Sequence, residues 1–217
     1  MNTGEYRQKQ LEITLSQLTS ITNPKLRYES YPLDARSAAR MVRLAGYTYD
    51  DIIGKRVVDL GCGSGILAIG AALIGGGTVV GVDIDRSSVL AATENATRLG
   101  LDVEFIVGDI KTLCGSFDTV LMNPPFGSWH RGADYAFLKK AVGLAEVVYS
   151  VHKKAEQNRR FLTAQIRVFG GEVDSIHDMD IVIPRLYAFH RKNRFHVKAD
   201  LYRITRAALR MGRFGSL

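Results

Sequence analysis

The sequence predicts an α/β fold: a seven-stranded, mostly parallel sheet closed by an antiparallel C-terminal hairpin. Three observations carry this expectation. Between Val57 and Val151, short apolar runs alternate with helical patterns, as parallel strands and their crossover helices do. The first run, Val57-Val58-Asp59-Leu60, enters the glycine-rich turn Gly61-Cys62-Gly63-Ser64-Gly65. Near the C-terminus two further runs, 180–183 and 196–204, flank one basic, aromatic loop.

In chain order, Leu11, Leu15 and Leu18 fall at helical spacing within 5–20, which predicts a leading amphipathic helix. Asn23-Pro24 breaks it, and 34–44 reads as a second helix with Asp34 as its N-cap. After the glycine turn, Ile66 to Leu73 is a helix. Strands follow at 78–82, ending on Asp83, at 103–107, ending on Gly108-Asp109-Ile110, and at 117–122, ending on Asn123. A helix over 133–146, a fifth strand over 147–151 and a helix over 155–169 precede Gly170-Gly171. The last run alternates Val197, Ala199 and Leu201 with Lys198, Asp200 and Tyr202, a strand with two different faces. Residues 1–50 are expected as N-terminal helices on the core, 51–204 as the core and 205–217 as a basic tail, all in one domain.

Asn123-Pro124-Pro125-Phe126, just past the fourth strand, is the segment that points to chemistry. The exocyclic amine of adenine is a poor nucleophile, because its lone pair is delocalised into the ring. Two acceptors, the Asn123 side-chain oxygen and the Pro124 carbonyl, suit its two N–H hydrogens and concentrate density on nitrogen, and polar groups aimed at developing charge are a large catalytic effect. Pro124 and Pro125 stiffen the turn and add no competing N–H. Phe126 offers a stacking face for an extruded base. Standing alone, such a tetrad is equally a turn breaker followed by a core aromatic.

The glycine turn supplies the second half of the chemistry. A dinucleotide site uses G-x-G-x-x-G; here position 66 is Ile and the third glycine arrives one residue early, at Gly65. That spacing suits S-adenosylmethionine better than a pyrophosphate-bearing cofactor. Asp83, about 20 residues past the turn at a strand end, is where ribose hydroxyls are gripped, unless it caps the following helix. Asp109 suits an adenine amine, with Ile110 against the ring, or else serves a turn. All four strand ends fall at the carboxyl edge, where open α/β sheets bind ligands.

With these motifs the chain resembles the amino-modifying class I methyltransferases, a Rossmann-like class. Lys25-Leu26-Arg27-Tyr28-Glu29-Ser30-Tyr31-Pro32, Tyr49-Asp50-Asp51-Ile52, Ala136-Phe137-Leu138-Lys139 and Val148-Tyr149-Ser150-Val151-His152-Lys153 extend the resemblance to the methyltransferase-like protein five family, over roughly residues 11–204. That family forms N6-methyladenosine in small-subunit ribosomal RNA. The resemblance implies cofactor contacts at Ser30, Leu33, Gly61, Ser64, Ile66, Asp83, Asp109 and Ile110, and target-adenine contacts at Asn123, Pro124 and Phe126. Ser30 and Leu33 depart from the Gln and Thr typical of eukaryotic members. It also implies a partner, a small zinc-binding methyltransferase activator that adds a strand to the sheet edge; 103–107 is the candidate strand.

Charge is unevenly placed. Residues 1–150 carry 15 Lys and Arg against 16 Asp and Glu, whereas residues 151–217 carry 14 against 6. A basic stripe is the electrostatic footprint of a nucleic-acid surface, and Lys153, Lys154, His190, Arg191, Lys192 and Arg194 are its candidates, with Tyr187, Phe189 and Phe195 alongside. The alternative is a solvated basic loop. No recognition domain is evident beside the core, which weakens DNA as substrate. Cys62 and Cys114 lack metal-ligand spacing, so no metal is expected. The first residues lack an apolar h-region and no run suits a membrane span, so a cytoplasmic protein is expected. The competing functions are a protein glutamine-N5 methyltransferase and a non-catalytic RNA-binding assembly factor.

Overall fold

The computed structural model describes residues 6–19, 33–125, 133–184 and 194–207. Its seven strands run in the order β3-β2-β1-β4-β5-β7-β6. β1 (Arg56–Leu60), β2 (Thr78–Asp83), β3 (Glu104–Val107), β4 (Phe117–Met122) and β5 (Ala145–Lys153) are parallel; β6 (Gly171–Pro184) and β7 (Arg194–Arg206) join antiparallel, with β7 between β5 and β6.

Helices cover both faces. On one lie α1 (Gln8–Ser16), α2 (Ala35–Arg43), α3 (Ile66–Leu73) and α4 (Arg86–Arg98), where Leu11, Leu15, Met41, Val42, Leu67 and Ile69 form a core with Leu121 and Tyr149 of the sheet. On the other lie α5 (Ala133–Leu144) and α6 (Glu156–Val168), where Leu138, Leu162 and Ile166 pack on Val58, Val120, Tyr202 and Ile204. β1 is buried from Val57 onward because it is central and covered on both sides. The alternation read in β7 is real, but both of its faces are covered: Ala199 and Leu201 belong to the first core, Tyr202 and Ile204 to the second.

Two boundaries differ from expectation. The helix expected over 133–146 ends at Leu144, and Ala145 already pairs with Phe117 in the sheet. Helix joins strand without a loop, so no turn residue marks the change. The strand expected over 180–183 begins at Gly171. Its first part, rich in Glu, Asp, Ser and His, lacks the apolar run of a buried strand because β6 lies at the sheet edge, where one side of the ladder has no neighbouring strand among the described residues.

That edge is partly closed by Asp34. One carboxylate oxygen caps α2 through Ser37 N–H at 3.1 Å, and the other takes Val182 N–H at 3.0 Å. Covering an edge donor in this way blunts further strand addition. At the opposite edge β3 is four residues long, with Ile106 and Val107 42% and 50% exposed.

The hairpin reaches past the sheet. Lys153, the last residue of β5, pairs with Ala199, and β7 has five more residues on that side, 194–198. At about 3.3 Å per residue this arm extends roughly 16 Å beyond the carboxyl edge. No described helix is long and apolar enough to cross a membrane.

Candidate active site

The ends of β3, β2, β1 and β4, neighbours in that order, deliver Asp109, Asp83, the glycine turn and Asn123 to one edge. Leu60 pairs with Met122, so the turn and the Asn123-Pro124-Pro125 segment leave adjacent strands at the same level, about 4.8 Å apart. The glycine turn and the Asn123-Pro124-Pro125 segment thus stand side by side.

The turn is held from below and from the side. Asp59, buried in β1, accepts Ala68 N–H of α3 at 3.0 Å, and burial pushes its carboxyl up to about 7, with Asp83 adding to the effect. Asp83 accepts Gly63 N–H at 2.9 Å and Asp85 N–H at 2.8 Å. Burial raises its pKa above the ordinary carboxylate value, while the two backbone donors pull it back. Two oxygens offer about four acceptor sites, so capacity is left for a diol. Gly63 has φ +54°, and a Cβ there would meet nothing within 4 Å: the turn opens onto free space a ligand can fill. This cradle fits S-adenosylmethionine.

The other expected positions sort as follows. Asp83 does not cap α4; Asp85 does, accepting Ser88 N–H. Asp109 caps a short 3-10 turn, Ile110–Thr112, through Lys111 N–H at 2.9 Å, and Ile110 is buried beside it. The Ser64 carbonyl accepts from Asn95 Nδ2 at 3.1 Å, which ties the turn to α4, and Ile66 packs on the first core. Leu33 is also buried in that core. Ser30, Phe126, Trp129, His190, Arg191 and Lys192 lie outside the described residues, and Arg194 opens β7.

The basic last third is more internally neutralised than composition suggests. Lys154 Nζ lies 2.7 Å from Asp178, and Arg159 binds Asp200 with both Nε and Nη2 at 2.7 and 2.6 Å. Lys198 pairs with Asp180, Arg203 with Asp51 and Asp174, and Arg206 with Glu146. Lys153 is exposed at the end of β5, with no carboxylate in ion-pair range among the described residues.

Sequence reasoning missed one cluster. His152, buried, sits 2.7 Å from Ser150 Oγ and edge-on to Tyr202, and burial holds its pKa down at about 4. Its alternation with Ser150 along β5 was visible, but not that α5 and α6 would cover it. Cys62 is buried and Cys114 exposed, both free. Among the described residues no group of three His, Cys, Asp or Glu is placed to hold a metal.

Comparison with known proteins agrees with this geometry. A methyltransferase-domain family model matches residues 53–194. The rRNA N6-adenosine-methyltransferase METTL5 of Danio rerio is 35% identical over 204 residues, covering 91% of this chain and 98% of that protein. An uncharacterised Methanocaldococcus jannaschii protein is 34% identical, covering 91% and 94%. The crystal structure of a Pyrococcus horikoshii protein, proposed to be an RNA methyltransferase, superposes with a TM-score of 0.87 at 36% identity, covering 94% of this chain and all of that one. The chain belongs to the METTL5 family of class I methyltransferases.

Proposed function

We propose that this protein is an S-adenosylmethionine-dependent methyltransferase that forms N6-methyladenosine in small-subunit ribosomal RNA. The observation that carries the reading is the adjacency of the glycine turn and Asn123 on the paired ends of β1 and β4. The named activity of the Danio rerio relative, over nearly the whole of both chains, supports the substrate. When bound, S-adenosylmethionine supplies an electrophilic methyl group. Gly61, Ser64 and Ile66 line its turn, Asp83 takes the ribose hydroxyls, and Asp109 with Ile110 takes its adenine; Ser30 and Leu33 are the remaining proposed contacts. Asn123 and the Pro124 carbonyl accept the two hydrogens of the target amine, Pro125 stiffens the turn, and Phe126 stacks on the base. No residue need remove a proton before attack.

The projecting β6–β7 arm and exposed Lys153 support an RNA path toward His190, Arg191, Lys192 and Arg194. Lys154 reaches a phosphate only by leaving Asp178. Edge strand β3 with its exposed Ile106 and Val107 supports strand addition by a small zinc-binding activator subunit. Co-purification of the chain with such a subunit, lost on Ile106→Lys, is expected; a monomeric chain fully active alone excludes it.

The test of the main reading is a map of methylated adenines in ribosomal RNA from cells with and without the protein. One small-subunit adenine should lose its methyl group. Labelled donor incorporated into protein alone would redirect the reading to a glutamine amide.

A further inference from the structure

We infer that α5 sets the methyl donor in register with the acceptor segment, and that Phe137 is a positioning residue for transfer. This rests on the methyltransferase reading above.

α5 follows the Asn123-Pro124-Pro125 segment in the chain and touches both turns proposed to hold the cofactor. Leu138, Ala141 and Val142 are buried and anchor the helix on the sheet. Phe137 and Lys140, about one helical turn apart, reach the turns at the carboxyl edge instead. Lys140 Nζ donates to the Lys111 carbonyl at 2.9 Å, and Ile110 is buried in the same core as Leu138 and Ala141. These contacts steady the turn proposed for the cofactor adenine.

Phe137 meets the other turn. A Cβ placed on Gly61 would lie 2.9 Å from Cε1 and 3.2 Å from Cζ of the Phe137 ring, so the ring fills the space that a larger residue at 61 would need. The N–H groups of Gly61 and Cys62 both donate to the Val82 carbonyl, at 2.8 and 3.0 Å. Gly61 is therefore tied to β2 by its backbone and backed by an aromatic ring from α5. Leu60 pairs with Met122, so Gly61 stands level with Asn123, about 4.8 Å away across the sheet. The ring bears on the residue of the glycine turn that lies beside the acceptor segment. Transfer needs the methyl carbon and the attacking nitrogen in line at about 3–3.5 Å, and a misplacement of about 1 Å costs on the order of a hundredfold. Without the ring, the bonds from Gly63 to Asp83 and from Gly61 to Val82 remain to bind the cofactor, but the turn is free to shift into the vacated space. Phe137 acts through Gly61, not on the reacting atoms.

The test measures single-turnover methyl transfer by the full chain to transcribed small-subunit ribosomal RNA, with S-adenosylmethionine and RNA both saturating, and cofactor affinity by calorimetry. Phe137→Ala should lower the rate by about tenfold to a hundredfold while cofactor affinity changes by less than about threefold. Phe137→Met, whose side chain reaches about as far as the ring, should recover most of the rate. Val142→Ala removes buried volume from the other end of the same helix, beside Gly171; its melting temperature should drop while transfer stays at the wild-type rate. If Phe137→Ala does not fold, Phe137→Leu, which keeps an apolar contact but falls short of the turn, should show the same split between rate and affinity. A wild-type rate in the Phe137 variants, a loss confined to cofactor affinity, or an equal loss of rate in Val142→Ala would overturn the inference. Wild-type protein that methylates no RNA would instead overturn the reading on which it rests, and is recognised before any variant is made.

Discussion

Asp83, at the end of β2, holds the backbone N–H of Gly63 in the turn that follows β1, 2.9 Å away. Its second oxygen holds Asp85 N–H. One side chain thus shapes the turn, and its remaining acceptor sites are those proposed above for the ribose hydroxyls. Replacing it removes both effects. Hydrogen bonds to a charged group contribute about 1.5–3 kcal/mol each, so two lost ribose contacts lower affinity on the order of a hundredfold or more. Calorimetric titration of Asp83→Ala with S-adenosylmethionine should show that loss; a change under about threefold would contradict the assignment.

Gly63 and Gly81 separate binding from folding. Gly63→Ala puts a methyl group into open space at φ +54°, a left-handed conformation costing about 1–2 kcal/mol. Its melting temperature should drop only modestly while cofactor affinity falls, because the methyl group enters the ligand's space. A Cβ at Gly81 in β2 would lie 2.5 Å from the Phe105 ring, so Gly81→Ala should show its main effect in the melting temperature. Equal behaviour of the two variants would mean that the turn is only a packing element.

Asn123 directly follows Met122, the last residue of β4. Asn123→Ala should leave cofactor affinity close to wild type while methyl transfer falls by roughly a thousandfold, the scale of losing one oxyanion-type partner. Single-turnover transfer to ribosomal RNA measures it. Wild-type turnover would remove Asn123 from the chemistry.

The parts of this fold legible in the sequence were those where one local signal decides. The start of α2 was visible because Asp34 has a capping role that a carboxylate fills alone. Ile66–Leu73 and its glycine turn were visible because the turn conformation itself demands glycine. The first half of β6 was not, since its Asp, Ser and His residues are tolerated only by the edge position, which the rest of the sheet determines. Likewise the basic excess was visible but not its pairing: Asp178 and Asp200 reach Arg159 only across the α6–β6–β7 packing.

The Asp51–Tyr149–Arg203 triad is expected to be worth more than a surface ion pair. Arg203 on β7 donates to Asp51 at 2.8 Å and to Tyr149 Oη at 3.1 Å, and Tyr149 Oη donates to Asp51 at 2.6 Å. All three side chains are largely shielded, and burial with the Asp51 charge pushes the Tyr149 phenol up, so it stays protonated. Removing Asp51 takes the shared acceptor from the Tyr149 hydroxyl and Arg203 Nε, while Arg203 keeps Asp174 at 3.0 Å, so the cost is about 1–3 kcal/mol. Asp51→Ala should show this in urea unfolding. A loss below about 1 kcal/mol would place the triad with exposed pairs.

Asp59 and His152 are expected to hide each other's pH dependence. Asp59 is raised from 3.8 to about 7 in the folded chain, so the native state keeps a proton that the unfolded state has released. Its contribution is full below about pH 4 and lost as pH rises through about 7; the span corresponds to about 4 kcal/mol. His152 is lowered from 6.5 to about 4, so the unfolded state binds a proton that the native state refuses. Its contribution is full above about pH 6.5 and lost as pH falls toward 4, over about 3 kcal/mol. Between about pH 4 and 6.5 the two slopes oppose each other. Relative to wild type, Asp59→Asn should therefore gain stability as pH rises across that window, and His152→Gln should lose it. Urea unfolding at pH 4.5, 5.5 and 6.5 resolves the two slopes, and variants that run parallel to the wild-type protein would show that neither group titrates abnormally.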